Sequence, residues 1–185
     1  MEFVNHLIQS INSTALTKSI FALQWTHSEV KLEDIKMKSV VVTGATSGIG
    51  FQVAHDFAKT GAFVIAVGRN PARCEEARIR ILASVPEARI CFLVADLASQ
   101  KQIHTLAQSV KDTLSVNGFQ SLDVLVNNAG VYMGKKEFTE DGVEITFAVN
   151  HLAVFLLTHL LLPLLERSSA SRVITVSSDS HYNTN

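Results

Sequence analysis

The chain has 185 residues, 47% of them hydrophobic and 18% charged, which is the size and make-up of one soluble globular domain with a sizeable core. A net charge of −1 and a pI of about 6.6 supply no basic field for nucleic acid or anionic lipid, so nucleic-acid binding is excluded at the outset. The two cysteines, Cys74 and Cys91, carry no metal-ligand spacing and read as buried or inert thiols in a reducing, cytoplasmic setting.

The N-terminal stretch MEFVNHLIQSINSTALTKSIFALQW lacks a positively charged start and is broken by Asn5, His6, Gln9, Ser10, Asn12 and Ser13. It therefore reads as neither a secretory signal nor a spanning helix. Its apolar residues Phe3, Leu7, Ile8 and Ile11, then Leu16, Ile20, Phe21 and Leu23, recur at helical spacing. Residues 1–37 are thus expected to form a helical extension and a charged linker, with peripheral contact to an intracellular membrane as the alternative.

From Lys38 onward short β-branched runs alternate with longer helical ones. SVVVTG (39–44), AFVIAVG (62–68), ICFLVAD (90–96), LDVLVNNAG (122–130) and RVITVSS (172–178) have the largely continuous apolar pattern of strands covered on both faces. Between them FQVAHDFAKTG, PARCEEARIRILASV, QKQIHTLAQSVKDTL and GVEITFAVNHLAVFLLTHLLLPLLE read as helices, with Gly61 placed to end the first and Pro71 to begin the second. The last helix reads as too short, and too interrupted by Thr158, His159 and Pro163, to span a membrane. His151 and His159 on it read as packing or surface residues, since no carboxylate or thiol cluster accompanies them. Five strands alternating with four helices predict an α/β fold over residues 38–185: a Rossmann-like, doubly wound parallel sheet of about five strands. Ligands bind such sheets at the carboxyl ends of the strands, where strand order reverses.

The first strand runs straight into Thr43-Gly44-Ala45-Thr46-Ser47-Gly48-Ile49-Gly50 and then into a helix. Gly44 permits the tight exit turn, Gly48 lets backbone approach a pyrophosphate, and Gly50 lets the helix pack closely. The helix N-terminus then offers free N–H groups to phosphate, so Gly44, Ser47, Gly48, Ile49 and Gly50 are the expected contacts of a dinucleotide.

TGATSGIG, the Asp96-Leu97 pair and the NNAG stretch at residues 127–130, in this order and spacing, resemble the short-chain dehydrogenase/reductase family, and the resemblance runs from about Lys38 to Ser178. Within that family VNHLAVFLLT and VITVSSDSHY are most similar to the branch that includes retinol dehydrogenases and the WW-domain oxidoreductase. The resemblance implies that Asp96 and Leu97 border the adenine and that Asn128 belongs to the cofactor site. Where dinucleotide folds carry an acid for the ribose hydroxyls, this chain has Arg69, which suits the extra 2′-phosphate of NADP(H). The resemblance further implies that Ser178 holds the substrate oxygen and that Asn150 supports the proton relay.

The family's tyrosine acid/base, tuned by a lysine one helical turn later, normally follows the serine by a dozen or more residues. Only seven residues follow Ser178, so the sequence is expected to be a dehydrogenase truncated before its Tyr-x-x-x-Lys pair, inactive by itself. Tyr182 has no lysine after it, and Tyr132-Met133-Gly134-Lys135-Lys136 places a glycine where a helix would be needed to align the pair. The expected activity is NADP(H)-dependent interconversion of an alcohol and a carbonyl on a small lipophilic substrate; the alternative is a non-catalytic nucleotide-binding protein. Apolar surface on the helix from Phe147 to Leu165 predicts a homo-oligomer, or pairing with a full-length relative.

Overall fold

The computed structural model describes residues 35–178. Residues 1–34 of the expected extension, and Tyr182, lie outside them. Five strands form one sheet: β1 (Ser39–Thr43), β2 (Phe63–Gly68), β3 (Arg89–Val94), β4 (Val124–Asn127) and β5 (Arg172–Thr175). Every neighbouring pair is parallel, in the order β3-β2-β1-β4-β5. The helices between them are α1 (Gly48–Lys59), α2 (Pro71–Ser84), α3 (Gln100–Val116) and α4 (Ile145–Leu165). In α4 a π-helical turn, Ala148–Leu152, interrupts the α-helix.

The side-chain period of two sorts β1 between two layers. Val40 and Val42 join Val53, Ala54, Phe57 and Ile81 on the side of α1 and α2, whereas Val41 joins Ile103, Leu106, Leu157 and Leu161 on the side of α3 and α4. Both faces of β1 and β2 are fully buried, as the continuous apolar runs predict. The outer strands depart from that reading. Arg89 and Val94 of β3 and Val173 and Thr175 of β5 are exposed, because an edge strand has a neighbour on one side only and its alternate positions outrun the helices that cover the centre.

The description of α4 also needs correction. It is 21 residues long with a mean hydropathy of 1.9, so by length and composition it is apolar and long enough to cross a membrane. Pro163 does not shorten it, since the helix continues to Leu165. One stripe, Ala153, Leu157, Leu161, Leu164 and Leu165, is buried against the sheet and α3. His151 and His159 are on the outside, each ring stacked on a phenylalanine four residues earlier, Phe147 and Phe155.

At the amino ends of the strands Asp123 gathers four donors: the Ser39 N–H (2.9 Å) and hydroxyl (3.2 Å), Lys38 Nζ (3.0 Å) and the Ser168 hydroxyl (2.8 Å). Burial alone would raise this carboxyl, but those hydrogen bonds and the Lys38 charge outweigh it and hold Asp123 below the usual carboxylate range. The result pins β1, β4 and the exit of α4 together at the end of the sheet opposite the cleft.

Candidate functional site

β1 sits at the centre of the sheet, with its successor β2 on one side and β4 on the other, so the reversal of strand order falls between β1 and β4. A cleft of about 810 Å³ opens there at the carboxyl ends of the strands. Gly44, Ser47, Gly48, Ile49 and Gly50 line its floor, Arg69, Asp96 and Leu97 one wall, and Asn128 the other.

The glycine turn is fixed from two sides. Ala45 N–H donates to Val67 O (3.0 Å), and the Asn128 amide donates to Thr43 O (2.9 Å) and Gly44 O (3.4 Å). The buried Thr43 hydroxyl accepts from Asn128 N–H and Ala129 N–H, both at 3.0 Å, and donates to Val126 O (3.3 Å). Asn128 therefore works by holding the turn. A Cβ on Gly50 would lie 2.3 Å from both Gly44 O and Asn128 Nδ2, so the close packing that requires glycine here is against this loop. Gly48 differs, because nothing lies within 4 Å of its would-be Cβ; its backbone, at φ +55°, faces open space.

The start of α1 stands apart from the other helices. Asn70 caps α2 by accepting from Arg73 N–H (3.1 Å), Ser99 caps α3 by accepting from Gln102 N–H (3.4 Å), and Glu144 caps α4 through Thr146 N–H (2.9 Å) and Phe147 N–H (2.7 Å). The Glu144 carboxyl is lowered by those backbone donors. Ser47 at the N-cap of α1 makes no such side-chain bond, and Ser47, Gly48 and Ile49 are exposed to the cleft. Orphan N–H groups, the positive end of the helix dipole and an uncommitted hydroxyl give this end of α1 the chemistry that suits an anion.

Arg69 follows β2 and is exposed at the cleft wall, and Arg73, one helical turn into α2, lines the same wall. Sequence reasoning found Arg69 and missed Arg73, whose approach depends on Asn70 and Pro71 starting α2 where they do. It also missed Gly68. A Cβ there would meet Thr46 Cγ2 at 2.5 Å and Cys74 Sγ at 2.6 Å, so the turn and α2 close over the end of β2. The thiols behave as expected: Cys74 is buried, and burial pushes Cys91 up to about 11.

Asn150 and Ser178 do not line the cleft. Asn150 is exposed; its Oδ1 accepts from Val131 N–H (2.8 Å) and its amide donates to Val131 O (2.9 Å). It thus clamps the start of the loop after β4 onto the π-helical turn of α4. Ser178 lies three residues past β5 and is exposed, while Val176 N–H donates to Asn127 O (2.9 Å) and carries the chain alongside β4. Tyr132 is 90% exposed, and Lys136 lies over the Phe138 ring, so these two do not form a tyrosine and lysine pair.

Residues 38–184 match the short chain dehydrogenase family. Over 148 residues the chain is 43% identical to the WW domain-containing oxidoreductase of Gallus gallus, covering 80% of this chain and 34% of that one. It is 40% identical to retinol dehydrogenase 13 of Homo sapiens over 144 residues, 78% of this chain and 42% of that one. The chain thus spans well under half the length of these curated relatives. Among solved structures, the complex of Pseudomonas aeruginosa RhlG with NADP superposes with a TM-score of 0.64 at 31% identity, covering 76% of this chain and 54% of that one. With the glycine turn, the strand order and the NNAG loop in place, the chain belongs to the short-chain dehydrogenase/reductase family of oxidoreductases, in the branch of the WW domain-containing oxidoreductases and retinol dehydrogenases.

Proposed function

We propose that these residues form the cofactor-binding part of an NADP(H)-dependent oxidoreductase that interconverts an alcohol and a carbonyl on a small lipophilic substrate. The observation that carries the cofactor choice is the pair Arg69 and Arg73 on the cleft wall beyond β2, where an acid would be needed for free ribose hydroxyls. The cradle fits the group: a pyrophosphate meets the uncapped start of α1 and the bare backbone of Gly48, and the RhlG complex supports NADP in a related cleft.

A nicotinamide cofactor, when bound, supplies the hydride chemistry. The chain's own residues bind and orient: Asn128 and Thr43 hold the turn, Asn150 holds the loop at the cleft mouth, and Ser178 is assigned to the substrate oxygen. Acid/base work at neutral pH needs a tyrosine lowered from about 10 by a nearby cation. Tyr132 and Lys136 do not form such a pair, so in this reading the described residues bind the cofactor and orient the substrate. A cytoplasmic setting and self-association through α4 belong to the same proposal.

Fluorescence titration of the 185-residue chain with NADPH and NADH tests it. Saturable binding with NADPH at least tenfold tighter is expected. Equal affinity would remove the NADP preference, and no binding of either would sink the nucleotide reading. Turnover by the chain alone, with an alcohol or aldehyde, would contradict the binding-only reading. The non-catalytic alternative is supported by the exposed face of α4, and it predicts a complex with a full-length relative whose turnover the chain alters without adding its own.

A further inference from the structure

We propose that Asp141, with Glu140, is a positioning residue for the adenosine end of the cleft, a role that rests on the nucleotide reading above. Residues 128–144 link β4 to α4, and their carboxylates take no part in the cradle itself. Asp141 Oδ2 accepts from Gln100 N–H at 3.0 Å, so an acid from a loop 41 residues away caps the first turn of α3. Glu140 accepts from the hydroxyl of Ser99, the buried N-cap of α3, whose oxygen in turn accepts from Gln102 N–H (3.4 Å). Thr139 Oγ1 shapes the turn that presents both acids, accepting from Asp141 N–H (3.2 Å) and Val143 N–H (3.3 Å).

In the nucleotide reading the segment just before α3, which brings Asp96 and Leu97 to the cleft, faces the adenine. Ala95 N–H donates to Gly68 O (3.0 Å), and the sheet ends there. Residues 96–98 are held by the start of α3: Ser99 N–H donates to Asp96 O (3.2 Å), Ala98 N–H to Asp96 Oδ1 (3.0 Å), and Asp96 N–H to Gln102 Oε1 (2.9 Å). Leu97 lines the cofactor cleft and also a separate cavity of about 170 Å³ bounded by Ile103, Thr139, Asp141, Ala148 and Leu152. Without the two carboxylates the first turn of α3 loosens and Leu97 is free to drop into that cavity, away from the adenine.

The test compares the wild-type chain with Asp141→Ala, Asp141→Asn and Glu144→Ala, by calorimetric titration with 2′,5′-ADP and by urea unfolding. Glu144→Ala removes a cap from the same loop but on α4, so it controls for a merely structural effect. Asp141→Ala is expected to weaken 2′,5′-ADP about five- to tenfold, Asp141→Asn by less because it keeps an acceptor, and Glu144→Ala not at all, although it lowers the unfolding midpoint. Asp141→Asn keeps the comparison decisive if the alanine variant does not fold. Equal weakening by Asp141 and Glu144 variants, or none from either, overturns the positioning role while the nucleotide reading stands. A wild-type chain that binds no 2′,5′-ADP overturns both.

Discussion

Gly48 and Gly50 sit two residues apart and resist substitution for different reasons. At Gly50 a methyl group would strike backbone and an engaged amide at 2.3 Å, so Gly50→Ala is expected to cost about 3 kcal/mol, the upper end for overpacking. At Gly48 there is room, and only the positive φ opposes a side chain, so Gly48→Ala is expected to cost about 1–2 kcal/mol. Urea denaturation of both variants checks the order; an equal loss would mean that Gly50 relaxes. On the cleft wall, Arg69→Glu is expected to raise the Kd for NADPH about ten- to a hundredfold, the loss of a charge-assisted bond of about 1.5–3 kcal/mol, with little effect on NADH. The same titration on Arg73→Ala measures the second arginine. Arg69 was legible because it directly follows an apolar strand run. Arg73 was not, because which helical position faces the cleft depends on where the helix begins.

Among the elements, the network at Asp123 shows how the amino ends of β1 and β4 are joined. Replacing Asp123 by Asn leaves four donors with one weakened acceptor and is expected to cost about 1–3 kcal/mol. Because its carboxyl is held below the usual range, the stabilisation is fully present above about pH 4 and is lost as pH falls through the lowered value. Wild-type protein should therefore lose more stability between about pH 5 and about pH 3 than Asp123→Asn does, measured by urea unfolding at each pH. A parallel pH dependence in the two proteins would assign the acid sensitivity to other groups. The helix boundaries were readable to within three residues because Pro71, Gly61 and the apolar periods mark them. The π-helical turn was not. It arises where Asn150 is drawn onto Val131, a contact made across 19 residues of chain.

The whole molecule carries an imbalance between its centre and its flank. β1 and β2 are sealed between helices, while α4 has only 28% of its apolar window buried and presents Phe147, Phe155 and Leu162 outward at 51%, 68% and 41% exposure. Self-association through this face, part of the proposed function, has a direct test. The expected outcome is a mass above the monomer in light scattering at micromolar concentration, reduced by Phe155→Glu with an unchanged unfolding midpoint of the dissociated form. A wild-type monomer at every concentration would remove the expectation.

The sequence by itself determined the alternation of strands and helices, the glycine turn and the place of the cleft, because these follow from local chemistry: residue period, positive-φ glycines and strand-to-helix adjacency. Tertiary structure decided what depends on distant segments meeting. It made Asn128 a brace for the turn, clamped Asn150 onto the loop after β4, left the outer strands half uncovered and set Asp141 against the start of α3. Each of these is a hydrogen bond or a lost contact between residues far apart in the chain, and no window of neighbouring residues encodes it.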